Sequence, residues 1–394
     1  MINKKKKYIR RGTGSFSSVT AAFFTAGLST FATLYSVQPI LPLFSHTFHL
    51  TPLQSSFSLS GSTITMALGM LLTSPLSDVY GRKIIMSSSL FLASIFTILC
   101  ALMNSWEGII FMRILTGLSL SGVVSVAMTY LTEEIDPTVL SLSIGLYISG
   151  NTIGGFLGRI ITSILSNIFS WNVSLMVVGF FSFFSSILFL YLLPISKNFK
   201  SQPFIFENLL RNFILQCQDS ILSKLFLIGF ILMGGFITIF NYIGYRLVID
   251  PFDLNQGMLG FLSVVYLIGV YTSPKAGMLT EKYHRIFILH IALLLMVIGI
   301  LITEWNQLLL VIIGLVFFAG GFFAAHSVVS SWVGYRSKLS RSGSLSFYLF
   351  FYYLGSSFFG SVGGYFWFFG GWLGISIFVM SLLIISFWLT IKLK

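Results

Sequence analysis

Twelve long apolar runs constrain this chain more than any other feature of its sequence. They fall at approximately 18–44, 55–77, 84–103, 106–131, 138–165, 171–194, 222–247, 256–279, 286–303, 307–333, 344–367 and 371–391. Each can cross ~30 Å of hydrocarbon as a helix rising ~1.5 Å per residue. In a bilayer only helices and closed barrels satisfy their own backbone, and the alternating ten-residue pattern of a barrel is absent. The expected fold class is therefore an all-α membrane protein with twelve transmembrane helices. Composition agrees, with 56% hydrophobic and only 9% charged residues and a mean hydropathy of +0.92. The first run is too long for a signal-peptide core and has no small-x-small cleavage site, so it is expected to remain as a helix.

The net charge of +12 is informative through its placement. If the N-terminus is cytoplasmic, all but Arg113, Arg159 and Arg246 of the 23 Lys and Arg fall in or beside cytoplasmic segments. This is the positive-inside bias carried through every span, and it places both termini in the cytoplasm. "KKKKYIRR" at 4–11, just before the first span, reads as an orientation signal or an attraction to anionic lipid. A nucleic-acid partner is not expected. Cys100 and Cys217 fall near opposite faces, so no disulfide is expected, and without Cys/His ligand spacing no metal site is proposed. No Gly-x-x-x-x-Gly-Lys-Ser/Thr pattern occurs, so ATP drives nothing directly and no cofactor is implied.

The longest polar interval, 195–221, separates six spans from six. The expected organisation is a basic N-terminus (1–17), an N-terminal six-helix half (18–194), a cytoplasmic linker (195–221) and a C-terminal six-helix half (222–394). Phe206, Leu209, Leu210, Phe213 and Ile214 recur at helical spacing and predict a short amphipathic helix on the membrane surface. A repeat joins the halves. "SPLSDVYGR" at 74–82 pairs with "GMLTEKYHR" at 277–285, and "YISG" at 147–150 with "YYLG" at 352–355, at nearly the same offset.

These residues resemble the major facilitator superfamily, whose loop between spans two and three reads G-x-L-x-D-[RK]-x-G-R-[KR]. Leu76, Asp78, Gly81, Arg82 and Lys83 match it, while Ser74 and Val79 depart from it. The second copy keeps Gly277, Leu279, Lys282 and Arg285, with Glu281 for Asp and His284 for Gly. "RILTG" at 113–117 resembles R-x-x-Q-G with Thr116 for Gln, and "YISGNTIGG" at 147–155 resembles the antiporter motif G-P-x-x-G-G with Asn151 for Pro. "LYSVQPILP", "GLYISGN", "NYIGYRL", "AAHSVVSSWVG" and "FYYLGSS" are similar to the YnfM-type branch, bacterial inner-membrane permeases often grouped with arabinose and drug efflux proteins.

The resemblance implies two pseudo-symmetric six-helix halves that carry a small organic solute by alternating access, as a monomer and without catalysis. It also implies that the charged loop clamps the inner ends of spans two and eleven when the carrier faces outward. Asp78, Gly81, Arg82 and Lys83 would form one latch of a cytoplasmic gate and Glu281, Lys282 and Arg285 the other. The bland alternative is that Asp78 caps a helix and the cations only set orientation. Gly150, Gly154 and Gly158 recur every four residues in span five, and Gly355, Gly360, Gly363 and Gly364 cluster in span eleven, which predicts close packing where the halves meet.

Charges inside a span are candidates for function because hydrocarbon penalises them. Arg113, Arg159 and Arg246 are the three, with only Glu107 near Arg113 in sequence and Glu304 at the end of a span. An arginine suits a planar anionic group; the alternative for Arg159 and Arg246 is snorkelling to the outer headgroups. His326 has polar neighbours and suits proton exchange, whereas His290 has apolar ones. Tyr35, Gln38, Asn151, Asn241, Tyr242, Tyr245, Tyr352 and Tyr353 complete the candidates. By the resemblance, spans one, four, seven and ten line the cavity. Proton-coupled efflux is the expected mode, although "FFTAGLSTFATLYSVQPI" holds none of the acids that many drug antiporters place in span one, so uniport stays open. A membrane-embedded enzyme would need more than Glu133, Glu134 and Asp136 in a short loop.

Overall fold

The computed structural model describes residues 8–201, 203, 211, 214–336 and 341–393, without the side chains of 341–343. The basic run 4–7, most of the expected amphipathic helix and the first residues leading into span eleven lie outside the described residues. Span one covers Gly14–Phe48, span two Pro52–Tyr80, span three Arg82–Ala101, span four Trp106–Glu134, span five Leu140–Ile168 and span six Trp171–Leu192. Spans seven to ten are Ser220–Leu247, Gln256–Lys282, Arg285–Ile302 and Leu308–Arg336. The helical stretch Arg341–Ile391 is two spans, divided where Gly371 takes φ 53° and ψ −138°. The loop expected at 368–370 is helical instead, because one left-handed glycine completes the reversal. The twelve spans agree with the twelve runs, and the chain is an all-helical membrane protein.

Span starts carry their own caps. Thr51 and Gln54 form a capping box, and Ser105, Ser170 and Asp219 each accept a backbone N–H of the first turn, which supplies orphan donors with acceptors at the membrane boundary. Two spans are irregular. Span one leaves α geometry after Tyr35 for a 3-10 turn at Gln38–Ile40 that contains Pro39, whose ring cannot donate to the helix ladder. Span eight runs as a 3-10 helix over Gly260–Leu267 before resuming at Ile268. Such long 3-10 stretches are uncommon, and this one brings its backbone against span five.

The even span count puts both termini on one face, here called the terminal face. Ile9 pairs there with the backbone of Glu134 and Asp136. The glycines correct one expectation. A Cβ on Gly150, Gly154 or Gly158 would collide with Phe24, Leu28 or Ala32 of span one, and one on Gly355 with Phe230 of span seven. These glycines therefore pack helices within each half, and of the set only Gly364, against Leu53 of span two, meets the other half. The same pairing, span five on one and span eleven on seven, recurs in both halves as the repeat requires.

Asp219 caps span seven at the terminal face. It accepts from Ile221 N at 2.9 Å and Leu222 N at 3.1 Å, and pairs with Arg336 Nε at 3.3 Å. Burial raises this carboxyl, but the two backbone donors and Arg336 outweigh burial and hold it below the ordinary 3.8. A depressed carboxylate binds fewer protons folded than unfolded, so its contribution is full above that value and fades as pH falls through the lowered folded value. The wild type is expected to melt above Asp219→Asn at pH 6 and to lose that margin toward pH 3. Melting curves of the purified pair check it; a margin unchanged by acid would contradict the linkage.

Candidate functional site

The polar groups that meet between the halves lie about midway along the spans and toward the face opposite the termini. Arg159 of span five is only 5% exposed. Its Nε donates to Gln38 Oε1 at 2.7 Å and its Nη1 to Gly155 O at 2.5 Å. The guanidinium lies over the rings of Tyr35 at 4.3 Å and Tyr266 at 4.8 Å. Gln38 Nε2 in turn donates to Asn241 Oδ1 of span seven at 2.7 Å, across 203 residues of sequence. That separation equals the offset of the charged-loop repeat, so Gln38 and Asn241 stand at counterpart positions and meet across the two halves. The break after Tyr35 positions Gln38, and the 3-10 stretch of span eight positions Tyr266.

Around this chain the halves are closed on the far side. Tyr245 shares a hydrogen bond with Ser45 at 2.7 Å and donates to Leu41 O at 3.0 Å. Gln256 Nε2 reaches Pro39 O at 2.7 Å. Ser163 bonds Gln256 O and accepts from Gly260 N at 2.9 Å. Ser357 and Ser361 of span eleven reach Ser60 of span two, each at 2.8 Å. Tyr242 donates to Gly360 O at 3.0 Å within its own half, and its hydroxyl also meets the Ser56 side chain of span two. Toward the terminal face, His326 Nδ1 is 2.8 Å from Tyr348 Oη and its ring 4.8 Å from Tyr352. His326 and Tyr352 are half-buried and Tyr353 is buried. Asn151 presses against Gly27 of span one, and His290 bonds Thr390 at 2.5 Å.

The other two intramembrane arginines do different work. Arg113, 1% exposed, donates to Ser58 O at 3.0 Å, Thr33 O at 3.1 Å and Leu34 O at 2.7 Å. Thr33 and Leu34 are in the last turn of Gly14–Tyr35, where carbonyls lack intrahelical donors and a cation is favoured. Arg246 likewise donates to Thr303 O and, at 3.2 Å, to Glu304 O, Trp305 O and Asn306 Oδ1 beyond span nine. Snorkelling, the alternative for Arg159 and Arg246, describes neither: both are buried against protein.

On the terminal face Arg82 bonds Asp78 Oδ1 at 2.5 Å, the Glu133 carboxylate through Nε at 3.2 Å and Nη2 at 2.8 Å, and Ser77 Oγ at 2.6 Å. Phe199, beyond span six, lies under its guanidinium at 5.5 Å. Gly81 permits the turn with φ 100°. Lys83 follows, half-buried. In the second copy Glu281 and Lys282 are exposed, and Arg285 stacks on Tyr335 at 4.3 Å and Trp332 at 5.9 Å. The asymmetry has a charge origin. At the repeat offset, the counterpart of Glu133 is Arg336, which would repel Arg285 and pairs instead with Asp219. The span-eleven end of the expected latch falls among residues that are not described.

Sequence reasoning missed Tyr266, Ser163, Gln256 and, as a partner of Arg82, Glu133. Only Glu133 carried a signal, as an acid placed at the end of span four beside a cationic loop.

The chain matches the family model "Major Facilitator Superfamily" over residues 22–245. It is 60% identical to an uncharacterized transporter of Buchnera aphidicola subsp. Baizongia pistaciae over 100% of this chain and 98% of that one. It is 48% identical to the inner membrane transport protein YnfM of Escherichia coli over 98% of this chain and 92% of that one. Among solved structures it resembles the nucleoside transporter NupG, with a TM-score of 0.78 over 95% of this chain and 99% of that one; at 14% identity this is a likeness of fold alone.

Proposed function

Because the chain belongs to the major facilitator superfamily, and is thus a secondary transporter working by alternating access, we propose that it exports a small organic solute from bacteria in exchange for protons. It does so as a monomer in the inner membrane, with the terminal face in the cytoplasm. The observation that carries the reading is the chain Arg159–Gln38–Asn241, a buried cation and two amides strung between halves. Such groups are costly in hydrocarbon and bring no packing advantage, whereas a carrier uses them to hold a polar solute where its halves move apart. The positive-inside bias supports the orientation. Export is supported by the similarity of 147–155 to the antiporter motif.

Proton coupling is supported by His326, the half-buried titratable group bonded to Tyr348 beside Tyr352. Facilitated transport without protons is the second reading, favoured by the absence of any Asp or Glu from the middle of a span. Counterflow in proteoliposomes with labelled sugars, amino acids and dyes, with and without a pH gradient, tests both. Flux that ignores the gradient removes proton coupling, and no flux of any solute removes transport.

The charged loop enters as part of the cytoplasmic gate. Asp78→Asn leaves Glu133 on Arg82, so the protein is expected to fold at wild-type yield while counterflow slows about three- to tenfold, the scale of an altered conformational equilibrium worth ~1 kcal/mol. Wild-type kinetics in Asp78→Asn would detach the loop from the cycle.

A further inference from the structure

Arg159 is the one intramembrane arginine whose hydrogen-bonding capacity the fold leaves largely unspent. A guanidinium carries five N–H donors. The fold engages one on Gln38 and one on Gly155. Among the described residues no carboxylate contacts it, and its electrostatic neighbours are Tyr266 and Tyr35. Arg113 and Arg246, by contrast, are each wrapped by three backbone carbonyls.

One further buried group beside it has no partner among the described residues, the hydroxyl of Tyr266, 6% exposed. Nδ2 of Asn241, 1% exposed and likewise unpaired, lies farther along the polar chain, against Gly360 of span eleven. Gln38, Arg159, Phe240, Ser263 and Tyr266 line a cavity of about 20 Å³ at this point, room for one water in this closed arrangement, so a larger solute enters it only as the halves part. A buried cation and an orphaned hydroxyl at one place are costly unless something that binds there completes them.

The geometry narrows what that is. With tyrosine rings packed on the guanidinium, the remaining N–H groups are offered along its edge, which selects a flat acceptor with two oxygens in one plane. The surroundings are aromatic, with the Tyr35 and Tyr266 rings on the guanidinium and Phe240 lining the cavity. We propose that Arg159 receives the carboxylate of a small organic acid with a flat apolar body, and that Tyr266 completes its hydrogen bonds. This rests on the transport reading, because the site lies between the halves; it adds the solute class. A neutral solute would leave the cation uncompensated, and an organic cation would be repelled.

The test is a binding measurement on the purified full-length protein, separate from flux. Benzoate serves as probe, with benzamide as its neutral isostere, benzyltrimethylammonium as a cation and sulfate as a tetrahedral anion. Benzoate at about 20 mM is expected to raise the unfolding midpoint by at least about 2 °C, and the other three not. Arg159→Gln should abolish the shift. Arg159→Lys, which keeps the charge and loses the fork, should weaken benzoate about tenfold. Tyr266→Phe removes only a hydroxyl and keeps the test valid if the arginine variants do not fold; it too should weaken benzoate, by about three- to tenfold.

Benzamide or sulfate acting like benzoate overturns the proposal, as does wild-type benzoate binding in Arg159→Lys and Tyr266→Phe. The two readings fail separately. Flux of another solute with no benzoate binding removes the solute class alone, whereas Arg159-dependent benzoate binding without any flux removes transport alone.

Discussion

Arg113→Met is expected to leave little folded protein in the membrane and to lower the unfolding midpoint of what remains by on the order of 10 °C, a loss of about 3–5 kcal/mol. The side chain is among the largest fully buried groups of the molecule, and all three of its nitrogens donate to backbone carbonyls. Those carbonyls belong to spans one and two, so a residue of span four joins three helices. Methionine fills much of the volume but donates nothing. Leu34 O then sits at the broken end of the span-one helix with no water to replace the donor, Thr33 O keeps only the Ser36 hydroxyl at 3.0 Å, and a buried unpaired carbonyl costs about 1–3 kcal/mol on top of the lost charge-assisted bonds. Size-exclusion profiles and melting curves of the two proteins measure it. A normally folded Arg113→Met that has lost only flux would mean that the arginine acts on the solute or the proton rather than on the fold.

The twelve spans were legible because a single property, hydropathy over about twenty residues, decides whether a helix crosses a bilayer. The repeat was legible too, since both copies of the charged loop survive at one offset. What the sequence did not separate was the role of its three intramembrane arginines, which look alike in apolar runs. Their roles depend on which carbonyls are orphaned nearby. Arg113 and Arg246 meet helix ends whose carbonyls, in or just past the last turn, need donors, and Arg159 meets Gln38 and two tyrosines. The break in span one after Tyr35, which faces Arg113 of span four, was not read from the sequence.

The glycines show the same limit. A four-residue spacing reports that one face admits a close neighbour, without saying which helix is that neighbour, and span one rather than the opposite half fills it. The charged loop was recognisable, but its main partner, Glu133, had drawn notice only as part of an acidic cluster. The lack of an equivalent in the second half follows from Arg336 standing where Glu133 stands in the first.

Joining Ser60→Cys to Ser361→Cys is expected to stop transport by more than about tenfold once oxidised, and reduction should restore it. The two hydroxyls are 2.8 Å apart across the far side of the seam between spans two and eleven, close enough for cysteines in their place to bridge without moving the backbone far. Alternating access requires this seam to part, because the polar chain around Arg159 lies between the same two halves and a solute cannot leave toward the far face while they remain joined. Native Cys100 is buried and Cys217 half-buried, so both are replaced by Ser first to keep the oxidation specific. The reduced pair should transport like its cysteine-free parent, since two small side chains replace two others at a contact that already opens. Full flux from protein shown by gel shift to be cross-linked would mean that the seam stays shut throughout the cycle, and the solute would then need a path other than the one between the halves.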